Sequence, residues 1–229
     1  KVSLTPDFQL DFPPLQQAID EHTKMIFICS PNNPTGNSIH REDIEMLLNN
    51  FDGIVVIDEA YINFARQKTF IQELTEYPNL VVLQTLSKAW GLAALRVGMA
   101  FASEEIINVI NKVKPPYNIN QAAQELALQA LDNISSVNEW IREIVIERDK
   151  LAAGFAQLPQ VVKVYPSDAN FILVKTTDAK GIYNQLVEQG IIVRDRSKVE
   201  LCAGCLRITV GTPTENIELL SAMQQLVLS

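Results

Sequence analysis

The sequence predicts an α/β protein with two domains: a larger one built on a mostly parallel sheet and a smaller α+β C-terminal one. In the first half of the chain, short β-rich runs alternate with helical patterns, which is typical of a parallel sheet. In the second half, long helical patterns precede a mixed unit of roughly eighty residues, a normal size for a domain. We expect a large domain over residues 1–135, a connecting helix over 136–158 and a small domain over 159–229.

The strands predicted in the first half each end in a polar cluster. The predicted elements are strands Met25 to Cys29, Ile54 to Ile57 and Val81 to Leu86, and a helix from about Arg41 to Asn50. The polar clusters are Ser30 to Gly36, Asp58 to Tyr61, and Ser87 with Lys88. Ligands of open parallel sheets bind beyond the carboxyl ends of the strands, so we expect the three clusters to share one site.

The second half begins with two helices and continues as a compact alternation of strands and helices. The predicted helices are Gln121 to Leu131, Val137 to Leu158, Ala179 to Gln189 and Thr214 to Leu228. The predicted strands are Val161 to Tyr165, Asn170 to Val174, Ile191 to Arg194 and Leu206 to Val210. Pro213 favours the start of the last helix because proline suits the first helical turn.

Composition and charge exclude several classes of function. The 229 residues are 47% hydrophobic and carry a formal net charge of −8, with scattered basic residues, which disfavours binding to nucleic acid or to an anionic membrane surface. No apolar run approaches the roughly 18 residues that a membrane-spanning helix needs. The first residues lack the layout of a signal peptide. We therefore expect a cytoplasmic location.

Three cysteines are too few for a disulfide framework, which favours a reducing compartment. Cys202 and Cys205 nevertheless form a C-x-x-C motif. A zinc site would need further soft ligands, and the chain has only His22 and His40, both far away in the sequence. A thioredoxin-like motif would open a helix, whereas this one leads into a predicted strand. The sequence therefore predicts neither a metal site nor a redox pair here.

Lys88 follows an apolar run, with Thr85 and Ser87 just before it and Arg96 eight residues after it. We expect this lysine to lie partly desolvated at the mouth of the sheet, where a lowered pKa would make its amine nucleophilic. The two hydroxyls and the guanidinium suit a phosphate dianion. A reactive amine beside a phosphate anchor is what pyridoxal 5'-phosphate requires. The alternative is a solvated lysine at the end of a strand.

Asp58 directly follows a buried-looking strand, so its carboxylate needs a cationic partner. The protonated ring nitrogen of pyridoxal phosphate is such a partner, and the alternative is an aspartate that caps a helix or forms an ion pair. Tyr61 and Asn33 each carry a donor suited to the phenolate oxygen of the same ring. Their alternatives are a core tyrosine and an asparagine of an Asn-Pro turn.

Arg207 is the only charged residue in the apolar run from Leu206 to Val210. Burying a guanidinium is costly unless it is paired, and the sequence offers no obvious internal partner. A substrate carboxylate held by two hydrogen bonds would satisfy this arginine. The alternative is a structural salt bridge.

Four blocks of the chain together resemble the successive signatures of the class I/II aminotransferases of pyridoxal phosphate fold type I. The blocks are Ser30 to Gly36, Asp58 to Tyr61, Thr85 to Gly98 and Leu206 to Thr212, in the same order as in that group. Within that group, the chain most resembles the histidinol-phosphate aminotransferases of histidine biosynthesis, over Asp58 to Phe64, Thr85 to Gly98, Asp168 to Leu173 and Leu206 to Thr212. Trp90 departs from this pattern, since phenylalanine is more usual there.

The resemblance implies a role for each candidate residue. Lys88 would bind the cofactor covalently and move the proton between Cα of the substrate and C4′ of the cofactor. Asp58 would pair with the ring nitrogen, while Asn33 and Tyr61 would bind the phenolate oxygen. The cofactor phosphate would be held by Ser87 and Arg96, with Thr85, and one end of the substrate by Arg207. Histidinol phosphate has no carboxylate, so Arg207 would meet its phosphate group.

The resemblance also implies the reaction and the partners. The reaction would convert L-histidinol phosphate and 2-oxoglutarate into imidazole acetol phosphate and L-glutamate, in a homodimer. The alternatives are another amino acid aminotransferase, a threonine-phosphate decarboxylase, or the cofactor-sensing domain of a transcription regulator. The match covers only the last two thirds of such an enzyme. The family's glycine- and serine-rich phosphate loop and stacking aromatic ring would precede Lys1, so we expect these 229 residues alone to bind the cofactor weakly and to be inactive.

Overall fold

A computed structural model describes residues 1–226 and divides them into two compact units. Unit 1 comprises residues 1–31 and 38–139, and unit 2 comprises residues 32–37 and those from 140 onward. The short segment 32–37 belongs to unit 2 although it lies within the range predicted for the large domain. The boundary near residue 139 falls inside a single long helix, Ile134–Phe155.

Unit 1 is built on a four-stranded sheet. Its strands are β1 (Met25–Cys29), β2 (Ile54–Asp58), β3 (Leu80–Thr85) and β4 (Gly98–Ala102). Its helices are α1 (Phe12–Ala18), α2 (Arg41–Asn50), α3 (Glu104–Val113), α4 (Gln121–Leu131) and the first part of α5 (Ile134–Phe155). The sheet order is β1-β2-β3-β4, in which β1, β2 and β3 are parallel and β4 pairs antiparallel with β3. The predicted mostly parallel sheet is therefore confirmed.

The core of unit 1 follows from the alternation of side chains along the strands. Val55 and Ile57 of β2 and Val82 of β3 are fully buried in one cluster, as expected for residues that share a face of a sheet. Val56, on the opposite face, is also buried. A strand buried on both faces is typical of the middle of a parallel sheet, so polar side chains find space only where the strands end.

Unit 2 contains an antiparallel sheet covered by helices. Its strands are β5 (Val161–Val164), β6 (Phe171–Thr176), β7 (Arg194–Asp195) and β8 (Cys205–Thr209), in the order β5-β6-β8-β7. Its helices are the second part of α5, α6 (Ala179–Glu188) and α7 (Pro213–Gln225). Phe155, Leu186, Leu206 and Met223 lie fully buried in its core. The predicted α+β character of this part of the chain is confirmed.

Several predicted boundaries were wrong. The helix predicted over Val137 to Leu158 begins and ends three residues earlier, and the strand predicted over Ile191 to Arg194 is only the two-residue β7. β4 was missed because Gly98–Ala102 has no β-branched residue and therefore a low intrinsic preference for a strand. Its antiparallel hydrogen bonds with β3 stabilise it instead. The predicted last helix ends at Gln225. Its predicted terminus at Leu228 lies outside the described residues.

The start of α7 shows why Pro213 marks a helix boundary. Pro213 occupies the first turn, where its missing N–H has no helical partner to lose. Thr212 and Glu215 form a capping box, in which each side chain accepts a hydrogen bond from the backbone N–H of the other residue.

No helix within residues 1–226 has the length and the apolar character needed to cross a membrane.

Cys202 and Cys205 are fully buried in unit 2. Burial raises the pKa of the Cys205 thiol to about 11, with a smaller contribution from the neighbouring Cys202. Burial likewise raises the pKa of Cys202. Both side chains are protonated at neutral pH, whereas metal binding and redox exchange need thiolates. The C-x-x-C motif is therefore part of the core.

We expect iodoacetamide at pH 8 to leave Cys202 and Cys205 unmodified in the native protein, because neither sulfur is exposed nor ionised. The same treatment in denaturant should modify both, and peptide mass spectrometry measures the two outcomes. Modification of either residue in the native protein as fast as in denaturant would contradict this assignment.

Candidate active site

Six of the predicted site residues lie at or just beyond the carboxyl ends of β2 and β3 in unit 1. Asp58 ends β2 and is in register with Leu83 of β3. The parallel pairing of the two strands therefore brings both carboxyl ends to one edge of the sheet. The six residues are Asp58, Tyr61, Thr85, Ser87, Lys88 and Arg96.

The carboxylate of Asp58 is half-buried and only partly engaged. Its Oδ1 atom accepts a hydrogen bond from the backbone N–H of Ala60 at 3.0 Å. Within residues 1–226, Oδ2 accepts no hydrogen bond and Asp58 forms no ion pair. The structure therefore shows neither a helix cap nor a salt bridge at this position. The second oxygen has the chemistry required to accept a hydrogen bond from a protonated ring nitrogen.

Lys88 and Tyr61 lie together. The Lys88 Nζ atom is 5.3 Å from the centroid of the Tyr61 ring, which is within the range of a cation–π contact. Tyr61 is buried, but Lys88 is exposed. The expected partial desolvation of Lys88 is therefore wrong, because the loop after β3 leaves its side chain exposed to solvent. Its amine is accessible to a reactant.

The three predicted phosphate ligands differ in how they are engaged. The Thr85 hydroxyl accepts from the backbone N–H of Ser87 at 3.0 Å and donates to the carbonyl of Val97 at 3.2 Å. Its hydrogen is therefore committed to shaping the loop. The Ser87 hydroxyl forms no hydrogen bond with the described residues. Ser87 thus suits a phosphate ligand better than Thr85 does.

Arg96 completes the set of phosphate-binding groups. Its Nη1 atom donates to the carbonyl of Ala93 at 2.8 Å, and the exposed guanidinium has further donors for an anion. The backbone of Arg96 has a φ of 57°, in the left-handed region that few residues other than glycine adopt. Such conformations cluster at functional sites, where the surrounding structure enforces them. The donors of Ser87 and Arg96 fit a phosphate dianion.

The two other candidates, Asn33 and Arg207, contact each other within unit 2. Nη1 of Arg207 donates a hydrogen bond of 2.8 Å to Oδ1 of Asn33. The guanidinium carbon also lies 5.0 Å from the centroid of the Phe171 ring. The expectation that Arg207 has no internal partner was therefore wrong. The partner is 174 residues away in the sequence, so no local pattern could reveal it.

This contact determines how the Asn33 side chain is oriented. A guanidinium only donates hydrogen bonds, so it must face the carbonyl oxygen of the carboxamide. The Nδ2 donor of Asn33 is then directed away from Arg207.

The turn that carries Asn33 is held by a second segment of unit 2. The carbonyl of Gly36 accepts a hydrogen bond of 2.7 Å from the backbone N–H of Asp168. Gly36 has a φ of +85°, and a Cβ atom there would lie 2.6 Å from Oγ of Ser167. That oxygen already donates to the carbonyl of Phe171 and accepts from the N–H of Ala169. Only glycine fits this position.

One buried acidic residue next to the candidate site was missed by sequence reasoning. Glu59 directly follows Asp58 and is 1% exposed, with hydrogen bonds to three other residues. The apolar run from Ile54 to Ile57 just before Asp58 was the available signal, since a carboxylate buried close to such a run needs several donors.

The predicted site residues form two sets. Six lie in unit 1, and Asn33 and Arg207 lie in unit 2.

Comparison with known proteins identifies the family. The sequence matches the family of class I and II aminotransferases over residues 1–223. The chain belongs to this family. Membership supports pyridoxal 5'-phosphate as the cofactor, to which the donors of unit 1 are chemically suited.

Among similar curated proteins are two bacterial histidinol-phosphate aminotransferases. The protein of Cytophaga hutchinsonii is 56% identical over 223 residues, which cover 97% of this chain and 64% of that protein. The protein of Parabacteroides distasonis is 54% identical over 228 residues, covering 100% of this chain and 66% of that protein. The chain thus spans slightly less than two thirds of the length of these relatives.

Solved structures of related enzymes confirm the fold. The histidinol-phosphate aminotransferase of Clostridium acetobutylicum matches with a TM-score of 0.88 at 23% identity, over 96% of this chain and 69% of that one. A decarboxylase from Sulfurospirillum multivorans matches with a TM-score of 0.83 at 28% identity, over 97% and 68%. The histidinol-phosphate aminotransferase of Sinorhizobium meliloti, solved with pyridoxal-5'-phosphate, matches with a TM-score of 0.79 at 24% identity. The match covers 90% of this chain and 57% of that one.

We expect Gly36→Ala to lower the free energy of unfolding by more than Gly190→Ala does. Both glycines have positive φ, but Gly190 has no atom within 4 Å of an added Cβ. The control therefore measures the backbone cost alone, about 1–2 kcal/mol, whereas the substitution at Gly36 adds the contact with Ser167. Urea denaturation measures both, and equal losses would contradict the close approach.

Proposed function

We propose that the protein is a pyridoxal phosphate-dependent aminotransferase of histidine biosynthesis. Its substrates would be L-histidinol phosphate and 2-oxoglutarate, and its products imidazole acetol phosphate and L-glutamate. The observation that carries the substrate assignment is the identity of 54–56% with two histidinol-phosphate aminotransferases over nearly the whole chain. The polar groups of Asp58, Ser87, Lys88 and Arg96 in unit 1 support pyridoxal phosphate as the cofactor.

When bound, pyridoxal phosphate supplies a carbonyl group that reacts with amines and a ring that accepts electrons from Cα of the substrate. The residues of unit 1 would hold it in place. Ser87 and Arg96 would bind its phosphate, and the open oxygen of Asp58 would keep its ring nitrogen protonated. The hydroxyl of Thr85 would act indirectly, by shaping the loop from Thr85 to Ser87.

Lys88 would perform the acid–base chemistry. Its amine lies in an exposed loop, where it can reach a reacting amino acid and carry a proton to or from the substrate Cα. Its Nζ atom lies 5.3 Å from the centroid of the Tyr61 ring, so the two side chains lie on the same side of the site. The Tyr61 hydroxyl and the Asn33 amide would donate to the phenolate oxygen of the cofactor, which lowers the pKa of the group that links it to Lys88.

Arg207 would bind the anionic end of each substrate. A planar guanidinium can hold either a carboxylate or a phosphate by two hydrogen bonds. One arginine can therefore serve both glutamate, through a carboxylate, and histidinol phosphate, through its phosphate. Since Arg207 also donates to Asn33, substrate binding and the orientation of a cofactor ligand would depend on the same side chain.

The finer assignments of partner and location belong to the same proposal. We propose a homodimer in the cytoplasm, as the resemblance implies. The reducing environment of that compartment agrees with the buried, protonated thiols of Cys202 and Cys205.

The second candidate function is decarboxylation of a phosphorylated amino acid. The observation that favours it is the match to the Sulfurospirillum multivorans decarboxylase, at a higher identity than the Clostridium aminotransferase. Both reactions would use the same groups of unit 1, so the product distinguishes them. An aminotransferase forms glutamate from 2-oxoglutarate, whereas a decarboxylase releases carbon dioxide.

The decisive experiment uses the protein expressed from its complete gene. We expect kcat/KM for L-histidinol phosphate with 2-oxoglutarate to exceed that for phenylalanine, aspartate and threonine phosphate by several orders of magnitude, because a misfit polar substrate leaves buried groups unpaired. Lys88→Ala should lower kcat about 10²–10⁴-fold and abolish the absorption band of lysine-bound cofactor.

The matched control is Lys112→Ala, which removes an exposed lysine of α3 and should change neither rate nor absorbance. Two outcomes count against the proposal. Release of carbon dioxide from threonine phosphate as the fastest reaction would favour the decarboxylase, and near-normal turnover by Lys88→Ala would remove the central role of this lysine.

A further inference from the structure

Glu59 is a buried carboxylate that the proposed chemistry does not use. It is 1% exposed, and within residues 1–226 it forms no ion pair with lysine or arginine. Removing a carboxylate from water is costly unless several donors replace the lost hydration. A side chain of this kind persists where its hydrogen bonds hold neighbouring segments together.

Three donors from two other segments meet the Glu59 side chain. The backbone N–H of Phe70 donates to Oε1 at 2.8 Å. The side-chain amide of Gln84, on β3, donates to Oε2 at 2.9 Å, and the Thr69 hydroxyl donates to the same oxygen. The amide of Gln84 also contacts the Thr69 hydroxyl at 3.2 Å. Glu59 therefore joins the end of β2 to β3 and to the start of the short helix Phe70–Glu73.

The main chain of Glu59 is held as well. Its N–H donates to the carbonyl of Leu83 at 2.8 Å, and its own carbonyl accepts from Ile62 at 3.1 Å. The residue thus lies between Asp58, which precedes it, and Tyr61, whose following short helix begins at Ile62. Its partner Gln84 immediately precedes Thr85, where the loop to Lys88 begins.

We propose that Glu59 is a positioning residue that sets Asp58 and Tyr61 relative to the loop carrying Lys88. This inference rests on the proposed function. Glu59 acts through other residues: its side chain fastens the turn after β2 to Gln84 of β3, so the ring-binding carboxylate and the reactive lysine keep a constant separation. Loss of these hydrogen bonds would displace Asp58 and Tyr61 relative to Lys88.

The chemistry of the two side chains makes the fastening sensitive to charge. Glu59 only accepts hydrogen bonds, and all its partners are donors. Gln84→Glu would place a second carboxylate where a donor lay 2.9 Å from Oε2, so the two charges would repel. The exchange Glu59→Gln with Gln84→Glu restores one carboxylate and one amide at the contact, and both side chains keep their length.

The experiment compares four proteins expressed from the complete gene: wild type, Q84E, the double variant E59Q/Q84E, and E76Q as a control. Glu76 is exposed, so E76Q removes a charge without disturbing the fastening. Three properties are measured: kcat, the pH titration of the bound-cofactor absorbance, and hydrogen exchange of the amides of Ala60, Ile62 and Phe70 without cofactor. The last measurement does not depend on activity.

We expect Q84E to lower kcat about tenfold or more and to speed exchange at the three amides. Its absorbance titration should move to higher pH by about 0.5 unit or more, because a displaced Tyr61 hydroxyl no longer stabilises the phenolate oxygen. In the double variant, kcat and the exchange rates should return to within about threefold of wild type, and the titration should return toward the wild-type pH, as expected for directly coupled residues. E76Q should match wild type.

The proposal is overturned if folded Q84E keeps the wild-type titration and kcat, even if it is less stable, since Glu59 would then be only structural. It is also overturned if the double variant recovers nothing. Failure of the proposed function looks different: wild type itself would then form no glutamate from 2-oxoglutarate, or show no cofactor absorbance, whereas the exchange data would still respond to the variants.

Discussion

The parallel pairing of β2 with β3 is the constraint on which the candidate site depends. Parallel strands in the middle of a sheet are buried on both faces, so charged side chains are excluded until the strands end. Asp58 is the first acidic residue after the buried run of β2, and Lys88 follows β3 by three residues. A carboxylate and an amine thus come from adjacent strand ends.

A different interaction organises the residues of unit 2. The positive charge of Arg207 lies on a sheet strand between buried residues, and its hydrogen bond to Asn33 and its contact with Phe171 stabilise it there. The turn bearing Asn33 is in turn held against the segment around Ser167, at a position that only glycine fits. Arg207 in turn orients the carboxamide of Asn33.

Much of this arrangement is local in sequence and could be predicted. Apolar runs locate strands and apolar residues at helical spacing locate helices, which is why the strand Met25–Cys29 and the helices Arg41–Asn50 and Gln121–Leu131 were predicted with the bounds that the structure has. The polar residues after each strand followed from the same runs. The identity of the cofactor needed the order of several motifs, because a single lysine after a strand is weakly informative.

What could not be predicted depends on contacts between distant residues. The bond between Asn33 and Arg207 joins positions 174 residues apart, and the role of Glu59 depends on donors 10 to 25 residues away. The exposure of Lys88 and the internal use of the Thr85 hydroxyl depend on how the loop after β3 closes. Hydrophobic periodicity carries no information about such hydrogen bonds.

The central claim is that Lys88 is the residue that carries the cofactor. The most direct measurement is reduction of the cofactor-loaded protein, expressed from its complete gene, with sodium borohydride, followed by peptide mapping. Reduction makes the bond between lysine and cofactor permanent, so the modified residue can be located by mass. The account predicts a pyridoxyl group on Lys88, and a group on another lysine, with Lys88 unmodified, would contradict it.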